Sequence, residues 1–230
     1  MMGAFGRFLE LSVPAPDILQ SLGFYRSLGF VELPAGDIRP WHYAVVTDGR
    51  IAIGLHAAGI DEPALAFVRP NLASQVRALE DAGHEFDMRR LGPDEFHEAA
   101  LRGPDGHRVL MMEARTFSPG GDSPATPPIV GTCVEVTLAC RSRDATRGFF
   151  EAAGFLPADE QGSEVVKLHT PGVLLGLREA PRSAAAVLRF AATDGEHRRA
   201  ALAALDLLPV SRPEGEVLLA PEGTRLVLAP

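Results

Sequence analysis

The sequence predicts an α+β protein assembled from four β-α-β-β-β modules. Three observations predict it. An apolar strand, a helix and short strands ending in a glycine-containing hairpin recur four times, at a period of roughly 50 residues. Residues 115–130 (RTFSPGGDSPATPPIV) show no hydrophobic periodicity, are dense in Pro, Gly and Ser, and separate the repeats two and two. Each half also opens on an apolar strand broken by one carboxylate, Glu10 in FLELSV and Glu135 in TCVEVTLA.

In the first module, Phe8–Val13 is read as a strand and Asp17–Leu28 as a helix. Asp17 has N-cap chemistry, because its carboxylate can accept from free helix N–H groups. Ile18, Leu19, Leu22, Tyr25 and Leu28 recur at helical spacing, and Gly29 can close the helix in the left-handed conformation. Strands follow at Phe30–Leu33, His42–Thr47 and Arg50–His56, the last two joined by the hairpin signal Asp48-Gly49. The second module repeats this with strand Ala64–Val68, a helix Asn71–Ala82 capped by Asn71 and closed by Gly83, and strands Phe86–Arg89, Phe96–Leu101 and Arg108–Met112. The third has strand Thr132–Ala139, helix Arg143–Ala153, and strands Phe155–Pro157, Val165–Leu168 and Val173–Arg178. The fourth has strand Val187–Ala191, the Ala-rich helix Glu196–Leu205, and strands Gly215–Leu219 and Arg225–Leu228.

The bulk numbers bound the function classes. The 230 residues are 46% hydrophobic, enough for a substantial core, and carry a net charge of −8. No Lys/Arg cluster marks a nucleic-acid or anionic-membrane face, so neither is expected as a partner. No apolar run approaches the roughly 20 residues of a membrane span, and the N-terminus lacks a signal-peptide pattern. The two cysteines, Cys133 and Cys140, form neither a disulfide framework nor a zinc pattern, so a reducing cytoplasm is the expected location.

The tandem modules resemble the vicinal oxygen chelate superfamily, which includes glyoxalase I, extradiol dioxygenases and the bleomycin resistance proteins. The resemblance rests on ELSVPAPDILQSLGFYRSLGF, which looks like that family's opening strand and helix, on GPDGHRVLMME, similar to its closing hairpin, and on LAFVRPNLASQVRALEDAG, similar to its second-module opening. It implies two glyoxalase/bleomycin-resistance-type domains with cupped, barrel-like mixed sheets. These are 5–114 (modules 5–60 and 61–114) and 131–230 (modules 131–182 and 183–230), with 115–130 as linker.

Metal-dependent members of that family place ligands in the middle of the first strand and on the last strand of each module. Here those positions hold Glu10, Gly54, Ala64 and Leu110, and in the second half Glu135, Gly176, Val187 and Val227. One carboxylate per half is short of the typical three protein ligands of a catalytic metal site, so no metal and no other cofactor is expected. Strand alternation then puts Phe8, Glu10 and Ser12 on one face, with Gly54 and His56, Ala64, Leu110 and Met112 alongside. In the second half it gives Cys133, Glu135, Thr137 and Arg178. Glu10 is expected to reach His56, and Glu135 to reach Arg178. Trp41, the sole Trp, is a candidate stacking surface, and either His42 or Tyr43 shares its strand's cavity face. The expectation is a binder of a small, partly apolar molecule in the N-terminal half. The alternative is an enzyme of lyase, isomerase or dioxygenase type, with Glu10 as acid/base or in a non-standard metal set. The family resemblance also admits a homodimer.

Overall fold

A computed structural model describes residues 3–35, 40–114, 123–158, 165–180 and 186–229. The first eight residues of the expected linker, 115–122, lie outside the described residues. The order of elements is β1 (Arg7–Pro14), α1 (Ile18–Ser27), β2 (Val31–Leu33), β3 (Tyr43–Thr47), β4 (Ala52–His56), β5 (Ala64–Arg69), α2 (Leu72–Asp81), β6 (Phe86–Arg90), β7 (Glu98–Arg102) and β8 (Arg108–Glu113). The second half repeats it with β9 (Thr132–Cys140), α3 (Arg143–Ala152), β10 (Leu156–Pro157), β11 (Val166–Thr170), β12 (Val173–Glu179), β13 (Val187–Ala191), α4 (Gly195–Ala204), β14 (Val210–Arg212), β15 (Gly215–Leu219) and β16 (Arg225–Leu228).

These elements form two eight-stranded sheets of identical order, β2-β3-β4-β1-β5-β8-β7-β6 and β10-β11-β12-β9-β13-β16-β15-β14. In each sheet the first strand of one module lies beside the first strand of the next, and the last strand of the second module follows in parallel, as β5–β8 and β13–β16 show. Both sheets have free edge strands, so they are mixed and cupped rather than closed into barrels. The strand β14, which the sequence did not signal, completes the fourth module and is exposed along its length.

Helix boundaries follow the local chemistry. Asp17 Oδ1 accepts from Gln20 N at 3.0 Å, as its N-cap position predicts. Asn71 differs from expectation: its backbone is left-handed, with φ +55°, and its side chain makes no cap bond. Asn tolerates that conformation better than other non-glycine residues, so here its contribution is to the backbone turn. The charged helix α3 is capped by Ser142, whose Oγ accepts from Ala145 N.

Packing divides the chain into two compact units, and each draws on both sides of the linker. One comprises residues 1–11, 63–119 and 138–185, and the other residues 12–62, 120–137 and 186–230. In the first unit Phe5 is the hub of an aromatic core, with ring centroids 5.7 Å from Phe67, 5.6 Å from Phe149, 6.5 Å from Phe150 and 6.4 Å from Phe155. In the second, Tyr25 packs on Phe30 and Phe30 on Phe190, at 5.2 and 5.9 Å. Tyr25 is fully buried, and its hydroxyl donates to Glu222 Oε1 at 2.7 Å. Burial and the neighbouring Glu222 carboxylate hold the Tyr25 phenol well above its ordinary pKa.

The hairpin before each module's last strand reaches into the other half. Asp48 Oδ1 accepts from its own turn amides, Arg50 N and Ile51 N, while Oδ2 accepts from Cys133 N on β9. Asp105 accepts from Arg141 N at 2.9 Å and from Thr146 Oγ1 at 2.6 Å. Pro171 O takes Phe8 N at 3.2 Å. Glu222 holds Ser21 and Tyr25 of α1. The end of the expected linker is docked as well, since Ile129 N donates to Leu28 O and Val130 is fully buried.

Candidate functional site

In the first module, the β3–β4 register sets Tyr43 across from His56, Val45 across from Gly54 and Thr47 across from Ala52. These residues therefore share one face. The choice left open between His42 and Tyr43 falls to Tyr43, whose ring centroid is 4.5 Å from that of His56. Trp41 lies two residues before Tyr43 and its Nε1 donates to His56 Nδ1 at 3.2 Å. A neutral His56 ring thus carries its proton on Nε2. His56 is buried, while Trp41 and Tyr43 are half-buried. Gly59 seats the indole: with φ +81°, a Cβ there would lie 2.3 Å from Trp41 Cζ2. Gly54, two residues before His56, adds no side chain to the face.

Ala64, Leu110 and Met112 come together in an apolar cluster with Ala66, Val68 and Ala100. Phe8 does not join them. It packs on Phe67 at 5.6 Å, and Phe67 alternates with Ala66 on β5, so Phe8 lies on the other face from the one alternation assigned to it. Glu10 and Ser12 are both buried, at 2% and 0% exposure.

The second sheet shows why alternation misleads near the carboxylate. On β9, Glu135 pairs with Arg189 of β13, but Phe190 pairs with Cys133, leaving Val134 as an extra residue in a bulge. The extra residue reverses the side-chain alternation, so Cys133 falls on the face opposite Glu135, not beside it. Val134 is accordingly 42% exposed between the buried Cys133 and Glu135. The expected partner of Glu135, Arg178, is exposed. The cation facing Glu135 is Arg189, with Nε 3.6 Å from Oε1. Thr137 joins the pair, donating from Oγ1 to Glu135 Oε1 at 2.6 Å and accepting from Arg189 Nε at 3.2 Å. Arg189 Nη2 donates to Glu214 O at 3.3 Å. Arg189 also sits across from Val227 on β16, so it is Arg189, not Val187, that lines up with Glu135 and Val227 across three adjacent strands. Sequence reasoning missed Arg189, although a lone charge in the apolar strand VLRFA is the same signal that singled out Glu10 and Glu135.

The strand positions that the family resemblance assigns to metal ligands hold one carboxylate among glycine and apolar residues in each half, and in the second half the residue across from Glu135 on β13 is a guanidinium. This donor set does not fit a divalent ion. Among the described residues no three His, Cys, Asp or Glu side chains gather as a metal group. Neither cysteine has thiolate character: burial pushes the Cys133 thiol far up and that of Cys140 up to about 11. No helix among the described residues is long and apolar enough to cross a membrane.

No family model matches the sequence, and no curated protein matches it. Solved structures do. The 2,3-dioxygenase LapB from Pseudomonas sp. KL28 superposes over 98% of this chain and 92% of its own, with a TM-score of 0.65 at 15% identity. Homoprotocatechuate 2,3-dioxygenase from Arthrobacter globiformis matches over 98% and 80%, at 0.63 and 15%. The Mn(II)-bound glyoxalase from Novosphingobium aromaticivorans matches over 96% and 80%, at 0.61 and 14%. With the duplicated strand order and the four modules, these likenesses establish that the chain has the tandem fold of the vicinal oxygen chelate superfamily.

Proposed function

We propose that the protein binds a small, partly apolar molecule through its N-terminal half without a metal ion, in the manner of the bleomycin-resistance type of this fold. The observation that carries this reading is the Trp41–Tyr43–His56 face. Two half-buried aromatic rings flank a buried imidazole whose Nδ1 is held by the indole N–H. Rigid aromatic surfaces with one oriented polar group are the usual make-up of a site for a flat, weakly polar ligand. Gly59 seats the indole, since a Cβ there would strike the Trp41 ring.

Trp41 is the sole tryptophan, so its fluorescence reports on the face directly. Titration with a panel of planar aromatic and glycopeptide-like compounds is expected to change that emission saturably and to raise Tm, since a ligand of the native state stabilises it by mass action. His56→Phe is expected to weaken binding about tenfold, or about 1.4 kcal/mol. A flat emission across the panel would sink the reading. Stabilisation by Mn(II), lost in Glu10→Gln, would move the protein to the enzymes instead.

A further inference from the structure

The second sheet carries a built polar site that the N-terminal reading leaves unused. Glu135, Thr137 and Arg189 project from paired positions of β9 and β13. Their neighbours on the same face are Val187, Val217 and Val227, which pack as one apolar cluster. Arg189 is not consumed by Glu135. Its Nε lies 3.6 Å from the carboxylate, and that N–H is directed to Thr137 Oγ1 at 3.2 Å. Nη2 is spent on Glu214 O. Nη1 makes no hydrogen bond to any described residue. The nearby Glu214 carboxylate is engaged by Arg225 at 2.9 Å and does not compete for it.

A guanidinium fixed on two sides with one donor edge open, set in a patch of valines, is complementary to an oxyanion on a short apolar body. The side chain is 19% exposed, which leaves the edge reachable while keeping the charge partly desolvated. We infer that Glu135, Thr137 and Arg189 form a recognition site for small aliphatic carboxylates, with Arg189 supplying the positive charge from directly across Glu135 on β13. Glu135 and Thr137 are positioning residues: the carboxylate orients the guanidinium through the threonine hydroxyl and does not itself touch the ligand. The site is independent of the Trp41 face, and its failure would leave that reading intact.

The probe is isovalerate, with isovaleramide as its uncharged isostere, added to the full-length protein. Calorimetric titration and Tm are expected to show saturable binding of isovalerate and none of the amide. Arg189→Gln is expected to weaken isovalerate binding about tenfold or more, with Arg189→Lys intermediate because it keeps the charge but not the fork. His56→Phe should leave isovalerate binding unchanged. The wild type supplies a test free of any folding defect: the Arg189 Nε–Hε resonance should shift along the same saturation curve. Absence of binding to the wild type, equal binding of the amide, or saturation with the Arg189 resonance unmoved would each overturn the assignment.

Discussion

His97 illustrates how a single side chain can be set by geometry alone. Its Nδ1 lies 2.7 Å from Glu113 Oε2 and its Nε2 lies 3.0 Å from Gly92 O. Both partners are acceptors, so only the doubly protonated ring can satisfy the two together. The hydrogen bond to the Glu113 carboxylate, then that to the Gly92 carbonyl, raises the His97 pKa above its ordinary 6.5. The sign follows: the tether is fully present below pH 6.5 and fades as pH rises through the raised folded value. An NMR titration should place the His97 midpoint above that of an unperturbed histidine, and Glu113→Gln should bring it back down. A wild-type midpoint at the ordinary value would refute the double hydrogen bond. Single residues also mark where the sequence was readable. Glu10 and Glu135 stood out because a charge inside an apolar strand needs a reason. Asn71 did not behave as a cap because a residue type permits several backbone solutions and only the local turn selects one.

At the scale of elements, hydrophobic period and glycine punctuation located the helices to within a residue or two. Of the two helix starts expected to be capped, Asp17 accepts a backbone N–H and Asn71 does not, while α3 and α4 are capped by Ser142 and Asp194, which the pattern did not single out. What escaped was the phase of the carboxylate-bearing strand. A bulge at Val134 adds one residue against the partner strand, and no sequence signal distinguishes it from regular alternation. Counting back from Glu135 in steps of two therefore puts Cys133 on the wrong side, while counting forward to Thr137 holds. The partner of Glu135 was hidden for another reason: the pairing of β9 with β13 is a tertiary choice between strands about 50 residues apart. The Pro104-Asp105-Gly106 pattern signals a turn, and in the fold Asp105 also anchors α3. Burial alone would raise its pKa, yet the hydrogen bonds from Thr146 and from the Arg141 amide and guanidinium outweigh it and hold the carboxyl below its ordinary 3.8. Asp105→Ala should cost about 1–3 kcal/mol in denaturant unfolding, because it strands the Thr146 hydroxyl and the Arg141 amide. The contribution of Asp105 is present above pH 3.8 and lost as pH falls through the depressed value, so the variant and the wild type should converge in acid.

Over the whole molecule, the sheets follow the two halves of the sequence but the compact units do not. Phe5 of the first half shares its core with Phe149, Phe150 and Phe155 of the second, and Tyr25 of the first is closed over by Glu222 of the second. The linker was legible as an interruption, whereas the exchange of packing across it was not, since pattern along a chain carries no information on which amphipathic faces meet. Residues 3–114 and 123–229 made separately should each lack half of two cores and fail to melt cooperatively, while mixing them should restore a cooperative transition. Independent cooperative melting of either fragment would refute this. The four hairpins that reach into the opposite half give that exchange a further meaning. A protease cut within 115–122 would not release two proteins. It would turn an intramolecular fold into a bimolecular one, whose melting temperature rises with concentration and whose halves separate only on dilution.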